Sequence, residues 1–307
     1  MAKPEFRMEF DPAHGEAISI AKDVQRITAN NGGPFTFHGT NTYIVGDKNV
    51  AVIDPGPEAD DAHLGAIMNA LKGRTLSHII VTHTHMDHSP LSRKLAALTG
   101  APTYGEGEHR ASRDLHIGEH NPLDGSADRE FEPDVVLSDG DIIKGEGWSL
   151  EAIFTPGHTA NHMTFSLLDT DMMFSGDHVM AWATTIVAPP DGSMSDYMAS
   201  LEILAAREES VYFPGHGGRL NNAPKFVRAL KAHRKMRETA VLARIRKGDE
   251  TIPDIVKIIY KSTDPKLHGA AGLSVLAHIE DLIARGKITS DQSVSINGRF
   301  FPVDEGN

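Results

Sequence analysis

The chain has 307 residues, enough for one large domain or a large one plus a small one, and no run of it approaches the ~18 apolar residues that a membrane span needs. Cysteine is absent, which excludes disulfides, a thiol nucleophile and thiolate ligands and leaves nitrogen and oxygen as the donors for any metal. The formal charge of -12 argues against general affinity for nucleic acid, but it is unevenly placed: residues 1–220 hold 15 Lys+Arg against 32 Asp+Glu, net -17, and residues 221–307 hold 15 against 10, net +5.

The N-terminal MAKPEFRMEF has no hydrophobic signal core, so a cytoplasmic location is the expectation. Residues 18–54 alternate short apolar runs with turn signals and read as a meander of strands, with Gly46-Asp47 as a hairpin turn. Asp54 closes the last of these runs, just before Pro55-Gly56. An aspartate there is either an ordinary turn residue or a carboxylate that orients a ligand loop from behind. Residues 63–71 read as a helix that stops at Gly73.

The densest chemistry lies in residues 76–98, LSHIIVTHTHMDHSPLSRKLAAL. Ile79, Ile80 and Val81 read as a buried strand that runs into four metal-capable side chains within six residues. Side chains alternate along extended chain, so His83 and His85 project to one side, where one cation can take both imidazoles, while Thr82 and Thr84 point away. Asp87 and His88 are aimed differently, and a second metal beside the first is their natural use. Ser89-Pro90 has the form of an N-cap followed by proline at the first helical position, opening a helix through Leu91, Leu95 and Leu98.

Residues 101–134 are rich in Gly, Pro, His and Asp and show little periodicity. Such a long loop is usually functional or disordered; here it could cover the site, with His109, His116 and His120 in reach of substrate, or those three are surface histidines. Beyond residue 135 several strand-like segments end in a metal-capable residue: WSLEAIFTPGH in His158, MMFSGD in Asp177 and VYFPGH in His216. Gly157, Gly176 and Gly215 before them permit sharp turns and close packing, so these ends can converge with residues 83–88 on one rim. His162 either touches substrate or packs behind the ligands. Thr184 and Thr185 either pack in a strand or line the mouth of the site, and residues 197–206 read as an amphipathic helix.

After His216 the texture changes. Asn221, Asn222 and Pro224 start a long basic helix whose stripe of Phe226, Leu230, His233, Met236 and Ala240 has core spacing. Helices at 253–260 and 270–284 follow, then two strands about an Asn297-Gly298 turn. Three helices and a terminal hairpin suggest a winged-helix arrangement, with domains of residues 1–222 and 223–307. The basic tail is either a solvated surface or faces a polyanion such as RNA, and its apolar helical surface could pair two chains as a homodimer.

The motif THTHMDH, with TPGH, SGD and PGH downstream in that order, resembles the metallo-β-lactamase superfamily, and the likeness spans residues 18–220. NTYIVG and VIDPG fit the family's early strands. The tail resembles the lactamase-beta-2-like branch, and the metal motif resembles that of the glyoxalase II hydrolases. The resemblance implies an α/β fold, an αββα sandwich of two mixed sheets with helices outside and metals at one edge, followed by a small winged-helix-like domain. It implies further that His83, His85 and His158 hold a first metal, that Asp87, His88 and His216 hold a second, that Asp177 bridges them, and that Asp54 supports the ligand turn. The cofactors are then two divalent ions, zinc first, with manganese or iron as alternatives. Members that act on lactams carry a cysteine that this chain lacks, and His85 sets it apart from members with glutamate there.

Two such cations acidify a bridging water and polarise the bond under attack, and Asp87 is placed as the catalytic residue that orients the hydroxide. The expected function is a binuclear metal-dependent hydrolase acting on a small thioester or ester, or on a phosphodiester. A small-molecule substrate suits the acidic body, and a single-strand endoribonuclease suits the basic tail. A mononuclear iron persulfide dioxygenase, sharing the first histidines and the aspartate, is the third reading.

Overall fold

Strand-forming runs fall into two groups along the chain, and each group makes one sheet. The structure, a computed structural model, describes residues 4–303 apart from 117, 118, 120 and 122; His120 therefore lies outside the described residues. In the first sheet β1 (Ile18–Ala21), β2 (Val24–Thr28), β3 (Asn41–Val45) and β4 (Asn49–Ile53) form the expected antiparallel meander. β5 (Thr75–Ile80), β6 (Thr103–Gly105) and β7 (Val135–Val136) then add in parallel, in chain order. Parallel neighbours need a crossover. α1 (Asp61–Ala70) joins β4 to β5, and α2 (Leu91–Thr99) joins β5 to β6.

The second sheet contains β8 (Ile142–Gly145), β9 (Trp148–Phe154), β10 (Met163–Leu167), β11 (Met172–Gly176), β12 (Val211–Pro214) and β13 (Leu220–Asn221). Their order is β13-β12-β11-β10-β9-β8. Neighbours are antiparallel except β11 and β12, which α3 (Met194–Ala205) connects in parallel.

The period of two along each strand decides the layering. Tyr43, Val45, Ala51 and Ile53 face Leu150, Phe165, Phe174 and Phe213 between the sheets. Ile44, Val50 and Val52, one residue out of step, face Leu64 and Ile67 of α1 and Leu91 and Leu95 of α2. Met173 and Tyr212 on the outer face of the second sheet pack on Tyr197, Leu201 and Leu204 of α3. Strands buried on both faces read as unbroken apolar runs, and each fully buried large side chain contributes about 1.5–3 kcal/mol. The result is the αββα sandwich.

The tail consists of α4 (Ala223–Ile245), α5 (Ile252–Ile259), α6 (His268–Ala284) and an antiparallel pair, β14 (Ile288–Ser290) with β15 (Phe300–Pro302). α4 is shared between two cores. Phe226, Val227 and Leu230 lie with α3 against the second sheet, whereas Val241 and Ile245 pack on Ile255, Val275, Ile279 and Phe300. The expected tight turn at Asn297-Gly298 is instead part of a longer connection, in which the Gly298 N–H donates to Ser295 O at 2.9 Å. Among the described residues no helix is long and apolar enough to cross a membrane.

Candidate metal centre

Strand direction brings the candidate ligands together. β4 and β5 run parallel, so Asp54 and residues 81–88 leave the first sheet at the same edge. β9 and β11 each pair antiparallel with β10, and β11 runs parallel to β12, so His158, Asp177 and His216 all follow strand ends on one edge of the second sheet. A Cβ on Gly215 would collide with the Asp177 carboxylate and lie 2.7 Å from His88 Cε1, so only glycine lets β12 approach this closely.

Among the described residues, seven side chains converge in three overlapping groups: His83, His85 and His158; His83, His88 and Asp177; and Asp87, His88 and His216. His85 Nδ1 lies 3.0 Å from His83 Nε2 and 3.1 Å from His158 Nε2. Asp87 Oδ2 lies 3.3 Å from both His88 Nε2 and His216 Nε2. Between the two groups, Asp177 Oδ2 is 3.2 Å from His216 Nε2 and 3.8 Å from His158 Nε2, and Asp177 Oδ1 is 3.7 Å from His88 Nε2. Donors held tetrahedrally at about 2.0–2.1 Å from one cation sit about 3.3 Å apart, so these spacings fit a metal centre. Among the described residues, His88 Nε2 and Asp177 Oδ1 are buried and have no hydrogen-bond partner. Buried polar atoms are normally satisfied, and a cation in contact with both would satisfy this pair.

The imidazoles are aimed by what lies behind them. His158 Nδ1 donates to Ile186 O at 2.7 Å and His216 Nδ1 to Gly39 O at 3.2 Å. His88 Nδ1 donates to Asp54 Oδ2 at 3.0 Å. Thr82 gives its N–H and its hydroxyl to the Asp54 carboxylate at 2.7 and 2.8 Å, so its oxygen is left to accept from His83 Nδ1 at 3.0 Å. In these four rings Nδ1 therefore carries a proton, and Nε2 is the nitrogen that faces the centre and can offer its lone pair to a cation. His85 is reversed, with Nδ1 inward.

Electrostatics favour positive charge here. Burial opposes protonation of His88, yet Asp87, Asp177 and Asp54 outweigh it and hold its pKa well above the usual value. His216 is likewise pushed up to about 10, against burial, by Asp177 and Asp87. Burial and then neighbouring imidazoles keep His83 well below the usual value, and His85 is brought to about 3. Burial opposes ionisation of Asp87, but His88 and His216 hold its carboxyl well below the ordinary range. A divalent cation answers this potential, and the His/Asp cluster is suited to bind divalent metal.

The remaining expectations fare differently. Asp54 lies behind residues 82–88, hydrogen-bonded to Thr82 and His88. His162 packs behind the cluster: its Nε2 accepts from the Asp177 N–H at 3.1 Å and its Nδ1 faces Thr155 Oγ1 at 3.0 Å. Ser89 does not cap α2, because its hydroxyl donates to buried Asp128 at 2.6 Å. His109 is not a surface histidine. Its side chain is 1% exposed, between Thr84 Oγ1 at 3.0 Å and Asp191 at 3.6 Å. His116 is half-buried and its backbone N–H donates to Glu119. Thr184 is half-buried, and Thr185 packs in no strand; its hydroxyl donates to Asp177 O at 2.6 Å. Sequence reasoning missed Thr40, whose hydroxyl donates to Asp87 Oδ2 at 2.8 Å, and Asn161, which donates to Thr84 Oγ1 at 2.8 Å. Small polar residues at loop ends carry too little type signal to be found this way.

Comparison with known proteins agrees with this geometry. A family model described as the metallo-beta-lactamase superfamily matches residues 35–216, and one described as the beta-lactamase associated winged helix domain matches residues 251–298. The atrochrysone carboxyl ACP thioesterase of Paecilomyces divaricatus is 30% identical over 81% of this chain and 75% of its own length. The beta-lactamase-like protein 2 homolog of Drosophila melanogaster is 27% identical over 89% and 92%. The crystal structure of a beta-lactamase domain protein from Burkholderia ambifaria superposes with a TM-score of 0.78 at 21% identity, covering 96% of each chain.

Proposed function

The chain belongs to the metallo-beta-lactamase superfamily and is a hydrolase, and from that premise we propose that it cleaves thioesters with two divalent cations, zinc first. The observation that carries the proposal is the position of Asp177, with Oδ2 3.2 Å from His216 Nε2 and 3.8 Å from His158 Nε2, between two sets of three donors. His83, His85 and His158 would hold one cation, Asp87, His88 and His216 the other, with Asp177 shared. Bound there, the cations supply water acidified to a pKa of about 7 and polarise the carbonyl under attack.

Asp87 is the catalytic residue in this reading. Its side chain is 25% exposed where those of His88, Asp177 and His216 are at most 9% exposed, so it faces the opening. Thr40 holds its orientation from one side. Its carboxylate would orient the attacking hydroxide, whose proton has already been lost to solvent, as the C–O bond forms. The C–S bond then breaks, and the sulfur leaves with the electron pair. A thiol of pKa about 8.5 leaves readily as thiolate, so no protonated general acid is required. A carboxyl held well below the ordinary range suits that leaving group better than an amine. Met86, next to Asp87, is 42% exposed, and Phe35, in the loop that supplies Gly39 and Thr40, is 53% exposed; both offer apolar surface to an acyl chain. Two relatives bear the printed name of an acyl carrier protein thioesterase, which supports the same substrate class.

The second reading, cleavage of single-stranded RNA, rests on α4, where Lys225, Arg228 and Lys235 are exposed. One experiment separates the two. Zinc-loaded protein should release free thiol from an acyl thioester at a rate that hardly changes with added salt. RNA cleavage that weakens steeply with salt, without thiol release, would favour the second reading.

A further inference from the structure

We propose that Arg234, on α4, is a positioning residue of the metal centre, so that the C-terminal helices tune the affinity of the His83, His85 and His158 group and of Asp177; this rests on the metal reading above. Arg234 is 3% exposed, and its partners among the described residues are a carbonyl and an aromatic face, not a carboxylate. Its Nε is buried without a hydrogen-bond partner among the described residues. A buried guanidinium held this way carries a large desolvation cost that packing alone does not require.

What it touches is the segment that follows β11. One guanidinium nitrogen donates to Thr185 O. The hydroxyl of the same threonine shares its one proton between the backbone carbonyls of Asp177 at 2.6 Å and His178 at 2.9 Å. The next residue, Ile186, supplies the carbonyl that takes the His158 Nδ1 proton at 2.7 Å. The guanidinium also lies 5.0 Å from the ring centroid of Tyr197, whose hydroxyl donates to His178 O at 2.9 Å. One charge on α4 thus fixes the loop 177–187 at Thr185 and, through Tyr197, at His178. These two anchors bracket the backbone that sets the Asp177 carboxylate and the tautomer and tilt of His158. Groups in this position behind a ligand typically change metal affinity about 10–100-fold when removed.

The test compares full-length Arg234→Met, Arg234→Lys and Thr185→Val with the unaltered protein. Each is checked for folding by circular dichroism and then titrated with Co²⁺ against a chromophoric chelator, with the cobalt visible spectrum recorded. Arg234→Met should bind its tightest Co²⁺ about 10-fold more weakly or worse and show an altered spectrum. Arg234→Lys, which keeps a charged donor, should recover part of the loss. Thr185→Val should weaken binding as well, and a variant carrying both Arg234→Met and Thr185→Val should bind no more weakly than the worse single one, because both act through one loop. A folded Arg234→Met that binds with unaltered affinity and spectrum would overturn the proposal. Should that variant not fold, unaltered binding by Thr185→Val would overturn it. Unaltered protein that takes up no Co²⁺ would defeat the metal reading itself, a different failure from cobalt bound equally well by every variant.

Discussion

The Nδ1 of His88 and the Oδ2 of Asp54 lie 3.0 Å apart, and the same carboxylate takes both protons that Thr82 can give. Asp54 therefore aims His88 directly and His83 through Thr82. It does so from a backbone of φ +50°, a region that Asp and Asn tolerate better than most residues. Asp54→Asn keeps that backbone and one acceptor but removes the charge. Metal affinity is expected to fall about 10–100-fold, measured by chelator competition. Unaltered affinity would mean that the carboxylate serves only the turn.

His85→Ala and Asp177→Ala should each lower metal content and thioester turnover together, since one belongs to a three-histidine group and the other lies between the groups. Elemental analysis of purified variants beside initial rates tests this. Full metal content in both would refute the ligand assignment.

Metal uptake should release protons. The pKa of His216 is raised to about 10 and that of His88 well above the usual value, so at neutral pH both nitrogens carry protons that a cation must displace. The sign follows: apparent affinity rises with pH from neutrality toward 10 and falls as acid is added. Calorimetric titration in buffers of different ionisation enthalpy should show release approaching about two protons when both cations bind. Uptake without proton release would contradict the arrangement.

His278 predicts acid lability in the tail. Burial, then Arg234, Arg285, His233 and Arg237, bring its pKa down to about 3, and neither ring nitrogen has a hydrogen-bond partner among the described residues. A histidine whose folded pKa lies below its unfolded value contributes stability above about pH 6.5, which is lost as pH falls toward 3. His278→Leu should therefore flatten the decline. The gap between pH 7 and about pH 4.5 should narrow by up to about 2–3 kcal/mol in urea melts. An unchanged gap would show that another group controls the acid limb.

Particular residues show what could be read in advance. His83, His85, Asp87 and His88 are legible because ligand-type side chains crowd the end of an apolar strand, and His158, Asp177 and His216 because each follows a glycine at a strand end. Thr82 holds Asp54 and His83 from behind, whereas Thr84 meets His109 and Asn161. The carbonyls of Gly39 and Ile186 were invisible, since a backbone acceptor has no side-chain signature. Ser89 looked like a cap because local spacing cannot show Asp128, a partner 39 residues away. His109 reads in the sequence as either a surface residue or one in reach of substrate for the same reason, its partner Asp191 arriving from another part of the chain. The shared role of α4 was equally hidden, because a periodic stripe marks a buried face without saying which core buries it.

The two-cation centre is tested most directly by an anomalous-scattering map from crystals of zinc-loaded protein, recorded on both sides of the zinc edge. Two peaks are expected, one among His83, His85 and His158 and one among Asp87, His88 and His216, with the Asp177 carboxylate touching both. A single peak, or peaks away from these side chains, would contradict it.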